Sequence, residues 1–151
     1  MTDYSPKSIA RREVEKKKYF EVEPPEQYKT GRRRNLYPKQ CHEKSWEYMF
    51  DKSDEDKVLL VNGIIEPIRE FFIVHTWVEV ADNIVFESTL QRFYKLDEYY
   101  RINNVRYTSK FTFDEFIKED VKYDSYGAYD EKLRMYDGNS IKLKEISKGK
   151  I

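Results

Sequence analysis

The sequence contains a single cysteine, Cys41, so no disulfide can form within the chain. A lone cysteine is typical of proteins kept in a reducing compartment, and we therefore expect a cytoplasmic protein. The chain also lacks any run of about 18 apolar residues, the length that a membrane-spanning helix needs. Its first residues are polar, so no secretory signal peptide is expected. These absences predict a protein with no membrane partner.

Glycine is scarce as well, with 5 residues among 151. No glycine-rich phosphate loop and no Gly-x-Ser-x-Gly turn occurs, which argues against nucleotide binding and against serine hydrolase chemistry. An excess of charge is also missing, because 28 basic residues balance 28 acidic ones. A neutral chain has no global field that would attract nucleic acid or a membrane surface. Nucleic acid is therefore not the expected partner.

Aromatic residues, by contrast, make up 16% of the chain. They compensate for a hydrophobic share of only 39%, because each ring can bury a large area. Helical and strand-like patterns predict a small α+β fold with an antiparallel sheet around one core. We divide the chain into a basic N-terminal extension with a short helix (residues 1–37), a core domain (38–121) and a polar C-terminal tail (122–151). The tail is expected to be irregular and partly mobile.

Residues 71–90 have the apolar density and the alternation of two neighbouring strands, with a hairpin turn at 81–83. The even-numbered residues of the first strand are nearly all apolar, so we expect that face to form the deeper core. The other face holds His75. The turn brings Glu87 back to within one or two residues of His75 in register, and the spacing thus predicts that these two side chains meet.

Cys41 lies in the first turn of a predicted helix, in which Trp46, Met49 and Phe50 recur at helical spacing. Unpaired backbone N–H groups at a helix N-terminus favour an anion, and the same field lowers the pKa of a thiol. A thiol activated in this way and placed near a histidine is the arrangement that nucleophilic catalysis uses. The sequence therefore predicts a site of Cys41, a histidine and a carboxylate.

Four short motifs follow one another along the chain. One of them lies in a predicted strand at residues 58–65 and contains Gly63, which indicates a bulge or a close backbone approach. The motifs are QCHEKSW from Gln40, VNGI around Gly63, VHTWVEV from Val74 and VFEST from Val85.

Together these motifs, over about residues 38–100, resemble the transglutaminase-like branch of the papain-like cysteine superfamily. The resemblance implies a papain-like core, in which a helix carrying the cysteine packs on an antiparallel sheet carrying the histidine and the acid. It implies Cys41 as nucleophile, His75 as base and Glu87 as the group that orients the imidazole. This family usually has aspartate at the third position, and Glu87 is one methylene longer.

The activity implied by this resemblance is cysteine-dependent acyl transfer or hydrolysis, as in an amidase, a peptidase or a transglutaminase. The substrate would be an amide or a peptide, the intermediate a thioester, and no cofactor is needed. Backbone N–H groups at the helix start would stabilise the oxyanion, with Gln40 as an additional side-chain donor. Trp77 would wall the cleft.

Other functions stay open at this stage. A papain-like scaffold without activity would serve as an interaction module for a protein partner. Arg32–Arg34 would form a phosphate-binding patch if the chain bound nucleic acid, although a solvated loop is the simpler interpretation. Cys41, His42 and His75 could be combined into a zinc set, but adjacent Cys and His rarely chelate one ion well, so no metal is expected. The oligomeric state is not indicated.

Overall fold

The computed structural model describes residues 4–31, 35–123 and 127–147. Arg32–Arg34 lie outside these ranges, so their interpretation as a phosphate-binding patch stays a prediction. The predicted α+β class with an antiparallel sheet is confirmed. No helix in the described part of the chain is both long and apolar enough to cross a membrane. The helices are α1 (Pro6–Lys17), α2 (Cys41–Asp51), α3 (Leu96–Ile102), α4 (Phe113–Asp120), α5 (Glu131–Arg134) and α6 (Leu143–Ser147); the strands are β1 (Val58–Ile68), β2 (Phe71–Val80), β3 (Ile84–Glu87), β4 (Arg92–Lys95), β5 (Tyr107–Phe111) and β6 (Ser140–Ile141).

Within the described residues the strand order is β4-β3-β2-β1-β5, and the short β6 pairs with β2. The predicted turn at 81–83 is confirmed, because two of its residues have φ of 54° and 70°, the left-handed values that a tight hairpin needs. β3 then runs antiparallel to β2 with Val80 opposite Ile84. This register brings Glu87 level with Trp77, on the same face of the sheet as His75.

One face of the sheet packs against α2 and α4. The even-numbered residues of β2 are all buried on this face, which confirms the prediction that it forms the deeper core. The helices supply aromatic and sulfur-containing side chains to it, among them Trp46 and Met49 of α2 and Phe116 of α4. The Trp46 ring stacks on Tyr129 with 4.9 Å between ring centroids. Burial of these large side chains fixes the position of α2 on the sheet.

The opposite face of the sheet is covered by α1 and α3. Ala10 of α1, Trp77 of β2 and Tyr99 of α3 belong to one buried cluster there. Lys17 at the end of α1 is only 5% exposed, with its Nζ 3.2 Å from Glu13 Oε2 and 5.4 Å from the centroid of the Tyr99 ring. The N-terminal helix that the sequence predicts is therefore present, and it packs on the sheet.

The C-terminal segment differs from the expectation of an irregular tail. Residues 127–147 form α5, β6 and α6, and Ala128, Leu133 and Ile141 are buried in a cluster with residues of β1 and β2. The apolar residues of this segment are few, but their spacing fits the surface left free by the sheet. The N-terminal extension also reaches the core, because Tyr28 shares a cluster with Tyr129. The three sequence segments thus contribute to a shared core.

Gly63 of β1 allows a close approach between strand and side chain. A Cβ atom at this position would lie 2.5 Å from the nearest carbon of the Trp77 indole and 2.8 Å from the carbonyl oxygen of Tyr107. The predicted close approach is confirmed, and the irregularity in strand pairing lies elsewhere, between Ile65 and Ile68. The absence of a side chain at Gly63 therefore lets the Trp77 indole pack against the backbone of β1.

We expect Gly63→Ala to lower the free energy of unfolding by roughly 1–3 kcal/mol, because the added methyl group overpacks the contact with Trp77. Urea titration followed by tryptophan fluorescence measures the change. Gly31→Ala is the matched control, since nothing lies within 4 Å of a Cβ at Gly31. Equal stability of the two variants would contradict this account of Gly63.

Candidate active site

Helix α2 positions the thiol at its first residue. Cys41 is half-buried and lies one turn before Ser45, on the side of the helix that faces the sheet. Ser88, directly after β3, has its Oγ 2.7 Å from Ser45 Oγ and 3.2 Å from the carbonyl oxygen of Cys41. Ser45 also donates to the carbonyl oxygen of Thr76 at 3.4 Å. These contacts fix the N-terminus of α2 against the ends of β2 and β3.

His75 and Glu87 meet as the sequence predicts. Nε2 of His75 lies 2.9 Å from both carboxylate oxygens of Glu87. The additional methylene of glutamate is therefore accommodated, and the carboxylate reaches the ring. With Nε2 directed at Glu87, the Nδ1 atom is the ring nitrogen left to interact with the thiol of Cys41, whose charge helps to raise the pKa of His75.

Glu87 is itself held by further donors. The hydroxyl groups of Thr89 and Tyr99 both donate to its carboxylate, which is fully buried. Burial opposes ionisation, but the imidazolium of His75, the ammonium of Lys17 and the hydrogen bond from Thr89 outweigh it and lower the pKa of Glu87 to about 2. Burial and the neighbouring carboxylate raise the pKa of Tyr99 well above its ordinary value, so its hydroxyl stays a donor.

A second histidine, His42, also adjoins the thiol. No catalytic role was predicted for it from the sequence. Its Nε2 lies 3.2 Å from Asp137 Oδ1, and its Nδ1 lies 2.6 Å from Thr76 Oγ1. The imidazole also interacts with Cys41, whose charge helps to raise its pKa. Cys41 thus lies between two histidine–carboxylate pairs. The adjacency of His42 to Cys41 was visible in the sequence, whereas nothing there pointed to Asp137.

The His42–Asp137 pair depends on the C-terminal segment. The other carboxylate oxygen of Asp137 accepts the backbone N–H of Ala128 at 2.8 Å. On the opposite side of the ring, Asn62 donates to Thr76 Oγ1 at 2.9 Å and accepts the backbone N–H of Tyr129 at 2.9 Å. Residues of β1, β2 and the C-terminal segment therefore fix the orientation of the His42 ring.

The charges of these groups favour a thiolate. Burial disfavours the Cys41 anion, but hydrogen bonds with His42 and His75 outweigh it and lower the thiol pKa to about 6. Burial likewise disfavours both imidazolium ions, but the carboxylates and Cys41 raise the pKa of His75 to about 10 and that of His42 to about 9. At neutral pH the stable form is therefore a thiolate between two imidazolium rings.

Gln40 and Trp77 are the other two residues that the sequence assigns to the site, beside Cys41, His75 and Glu87. Gln40 is the N-cap of α2, and its side chain makes no capping hydrogen bond, so its role as an oxyanion donor stays a prediction. Trp77 is fully buried, donates from Nε1 to Glu79 at 3.1 Å, and has its ring 6.1 Å from that of His75. It supports β2 behind the histidine and does not wall the cleft, because Gly63 lets the indole pack inward.

A cavity of about 550 Å³ opens onto this group of residues. Its lining includes Cys41, His42, His75 and Glu87, together with residues of α1. The described residues contain no cluster of three or more His, Cys, Asp and Glu side chains arranged to hold a metal ion. The thiol therefore lies in the lining of a cavity large enough for a small ligand.

No protein-family model, curated protein or solved structure matches this chain. The chemistry of the site therefore has to be inferred from its own geometry.

Replacing either acid by its amide should lower the pKa of the histidine that it contacts. We expect Glu87→Gln to lower the pKa of His75 from about 10 by roughly one to three units. Asp137→Asn should lower that of His42, which is about 9. Titration of the ring proton resonances by NMR measures both, and two histidines keep the assignment simple.

Each variant serves as the control for the other, because the two acids contact different rings. A Glu87→Gln protein that folds normally and leaves both titrations unchanged would show that the carboxylate does not hold His75.

Proposed function

We propose that this protein is a cysteine-dependent acyltransferase or hydrolase of amide or peptide substrates, built on a papain-like, transglutaminase-like core. The observation that supports it best is the group formed by Cys41, His75 and Glu87. A thiol at a helix N-terminus, a histidine that lowers its pKa and a carboxylate 2.9 Å from that histidine are the parts that nucleophilic acyl transfer requires. No cofactor is needed for this chemistry.

In the first half-reaction the Cys41 thiolate attacks the carbonyl carbon of the substrate. The carbon–sulfur bond forms, and the carbonyl electron pair moves to oxygen to give a tetrahedral intermediate. The N–H groups in the first turn of α2 have no partner within the helix, so they are the oxyanion donors that we propose, with the Gln40 amide beside them. When the carbon–nitrogen bond breaks, the His75 imidazolium gives its proton to the departing amine.

In the second half-reaction the acceptor is water or an amine. His75, now neutral, removes a proton from the acceptor as it attacks the thioester carbonyl. The carbon–sulfur bond breaks, the thiolate is released, and His75 is again an imidazolium. Glu87 keeps the ring in the required orientation through both steps, because it holds Nε2 and leaves Nδ1 free to exchange protons.

His42 has a separate role in this proposal. Both of its ring nitrogens are occupied, one by Thr76 and the other by Asp137, so it is poorly placed to shuttle protons. Its positive charge beside Cys41 lowers the energy of the thiolate before substrate arrives. We therefore assign proton transfer to His75 and electrostatic stabilisation of the thiolate to His42.

The pH dependence of alkylation by iodoacetamide tests this function. The wild type should be labelled with a midpoint near pH 6, since the thiolate forms as the pH rises through the thiol pKa. His75→Ala and His42→Ala should each raise the midpoint, and the double variant should reach about pH 8.5 or higher, because burial of the thiol then has no compensating charge.

Cys41→Ala gives the blank, since no other cysteine is present. Val74→Ala, on the strand that carries His75 but without a charge, is the matched control and should keep the midpoint near that of the wild type. A wild-type midpoint near pH 8.5 would overturn the proposal and would favour a module that binds a protein partner without catalysis.

A further inference from the structure

The walls of the cavity are polar near the thiol and largely aliphatic elsewhere. The two histidine–carboxylate pairs form the polar part. α1 contributes one wall, β1 and β2 another, and the segment after β3 a third. The apolar residues in these walls include Ile9, Ala10, Ile65, Pro67, Ile73 and Leu90.

Four of the polar side chains in these walls are engaged with other protein groups, while the exposed Lys39 also lines the cavity. Glu13 and Lys17 pair with each other at 3.2 Å. Asn103 is buried and donates from its amide to the carbonyl oxygen of Tyr99 at 2.9 Å. Thr89 donates to Glu87. A ligand in the outer part of the cavity therefore meets apolar surface, with few polar groups available to it.

This lining selects against a polar ligand. A peptide backbone laid along aliphatic walls would lose its hydrogen bonds to water and find few replacements, which is costly for each group. An aliphatic chain has no such loss and gains from leaving water. The volume of about 550 Å³ lies within the range of about 300–1,000 Å³ in which pockets enclose small ligands. Ile9, at 45% exposure, continues the apolar surface toward solvent.

The acyl group is the part of the substrate that such a cavity suits. It is bonded to the sulfur of Cys41 from the first half-reaction until the acceptor displaces the thiolate in the second, whereas the leaving group departs in the first. A cavity that begins at the thiol and is lined by α1 would hold the chain of the thioester while the acceptor enters. Its apolar walls would also limit the access of water to the chain.

We propose that this cavity binds an aliphatic acyl chain of medium length, so that the substrates are acyl amides, esters or thioesters. This inference rests on the proposed function for its chemistry, but the binding of the chain is measurable without catalysis.

Binding of linear primary amides to the Cys41→Ala protein tests the cavity alone. We expect the Kd from acetamide to octanamide to fall by about fourfold for each methylene, as for transfer of methylene groups from water to an apolar site. Calorimetry or NMR titration measures the series. A Kd that does not depend on chain length would overturn the inference.

Two variants show whether the chain occupies this cavity. Ala10→Phe adds a ring to its α1 wall and should abolish most of the gain with chain length. Arg11→Phe is the matched control, because Arg11 is exposed on the same helix and does not line the cavity. Ile9→Gln, at the more exposed position, is a second test that disturbs the core less, and it should weaken binding of the longest amides. Equal binding by Ala10→Phe and Arg11→Phe proteins of normal melting temperature would place the chain elsewhere and overturn the inference.

Acylation kinetics separate this inference from the proposed function. p-Nitrophenyl esters from acetate to octanoate should each give a burst of p-nitrophenolate with wild type and none with Cys41→Ala. The acylation rate per unit ester concentration should rise with chain length. A burst that is equally fast for every ester would leave the thiol chemistry intact and overturn the acyl-chain site. Amide binding that tightens with chain length, without any burst, would overturn the proposed function and support the cavity as a binding site.

Discussion

The buried contact between Glu87 and His75 is the interaction on which the candidate site depends. A carboxylate that loses its hydration needs compensation from charges and donors, or it takes up a proton. Here the compensation comes from His75, from the hydroxyl groups of Thr89 and Tyr99, and from the nearby charge of Lys17. These groups come from α1, β2, α3 and the segment around β3. The site therefore requires both the sheet and the helices of its α1–α3 face.

The opposite face of the sheet contributes the second half of the electrostatic arrangement. His42 begins α2 together with Cys41, but its carboxylate partner, Asp137, belongs to a segment that reaches the site only by packing on β1 and β2. Ala128 is buried in that packing, and the backbone N–H of the next residue, Tyr129, donates to Asn62. Packing of the C-terminal segment and the pKa of the thiol are thus coupled, because adjacent backbone N–H groups of the segment bind Asp137 and anchor the segment to Asn62 of β1.

Sequence periodicity was sufficient for the local features of the site and insufficient for those created by tertiary contacts. Alternation and a hairpin turn predicted the meeting of His75 and Glu87, since pairing register follows from the turn. Asp137 gave no signal, because a carboxylate in a polar segment has no periodicity that reports its partner. Trp77 was expected in the wall of the cleft beside His75. The indole packs in the core instead, because Gly63 on the neighbouring strand β1 has no side chain to exclude it, and no pattern within β2 reports that contact.

The two histidines explain how a thiolate can exist in a partly buried position. Burial by itself raises the pKa of a thiol, as it does for any group that ionises to an anion. One imidazolium would have to offset this effect while also exchanging its proton with the substrate, and its charge would be lost in each cycle. A second ring, held by Thr76 and Asp137 and not required for proton transfer, keeps a positive charge at the sulfur when His75 has given up its own. In the proposed reaction the thiolate would then be a stable leaving group at the end of the second half-reaction, because the charge that stabilises it would persist through the cycle.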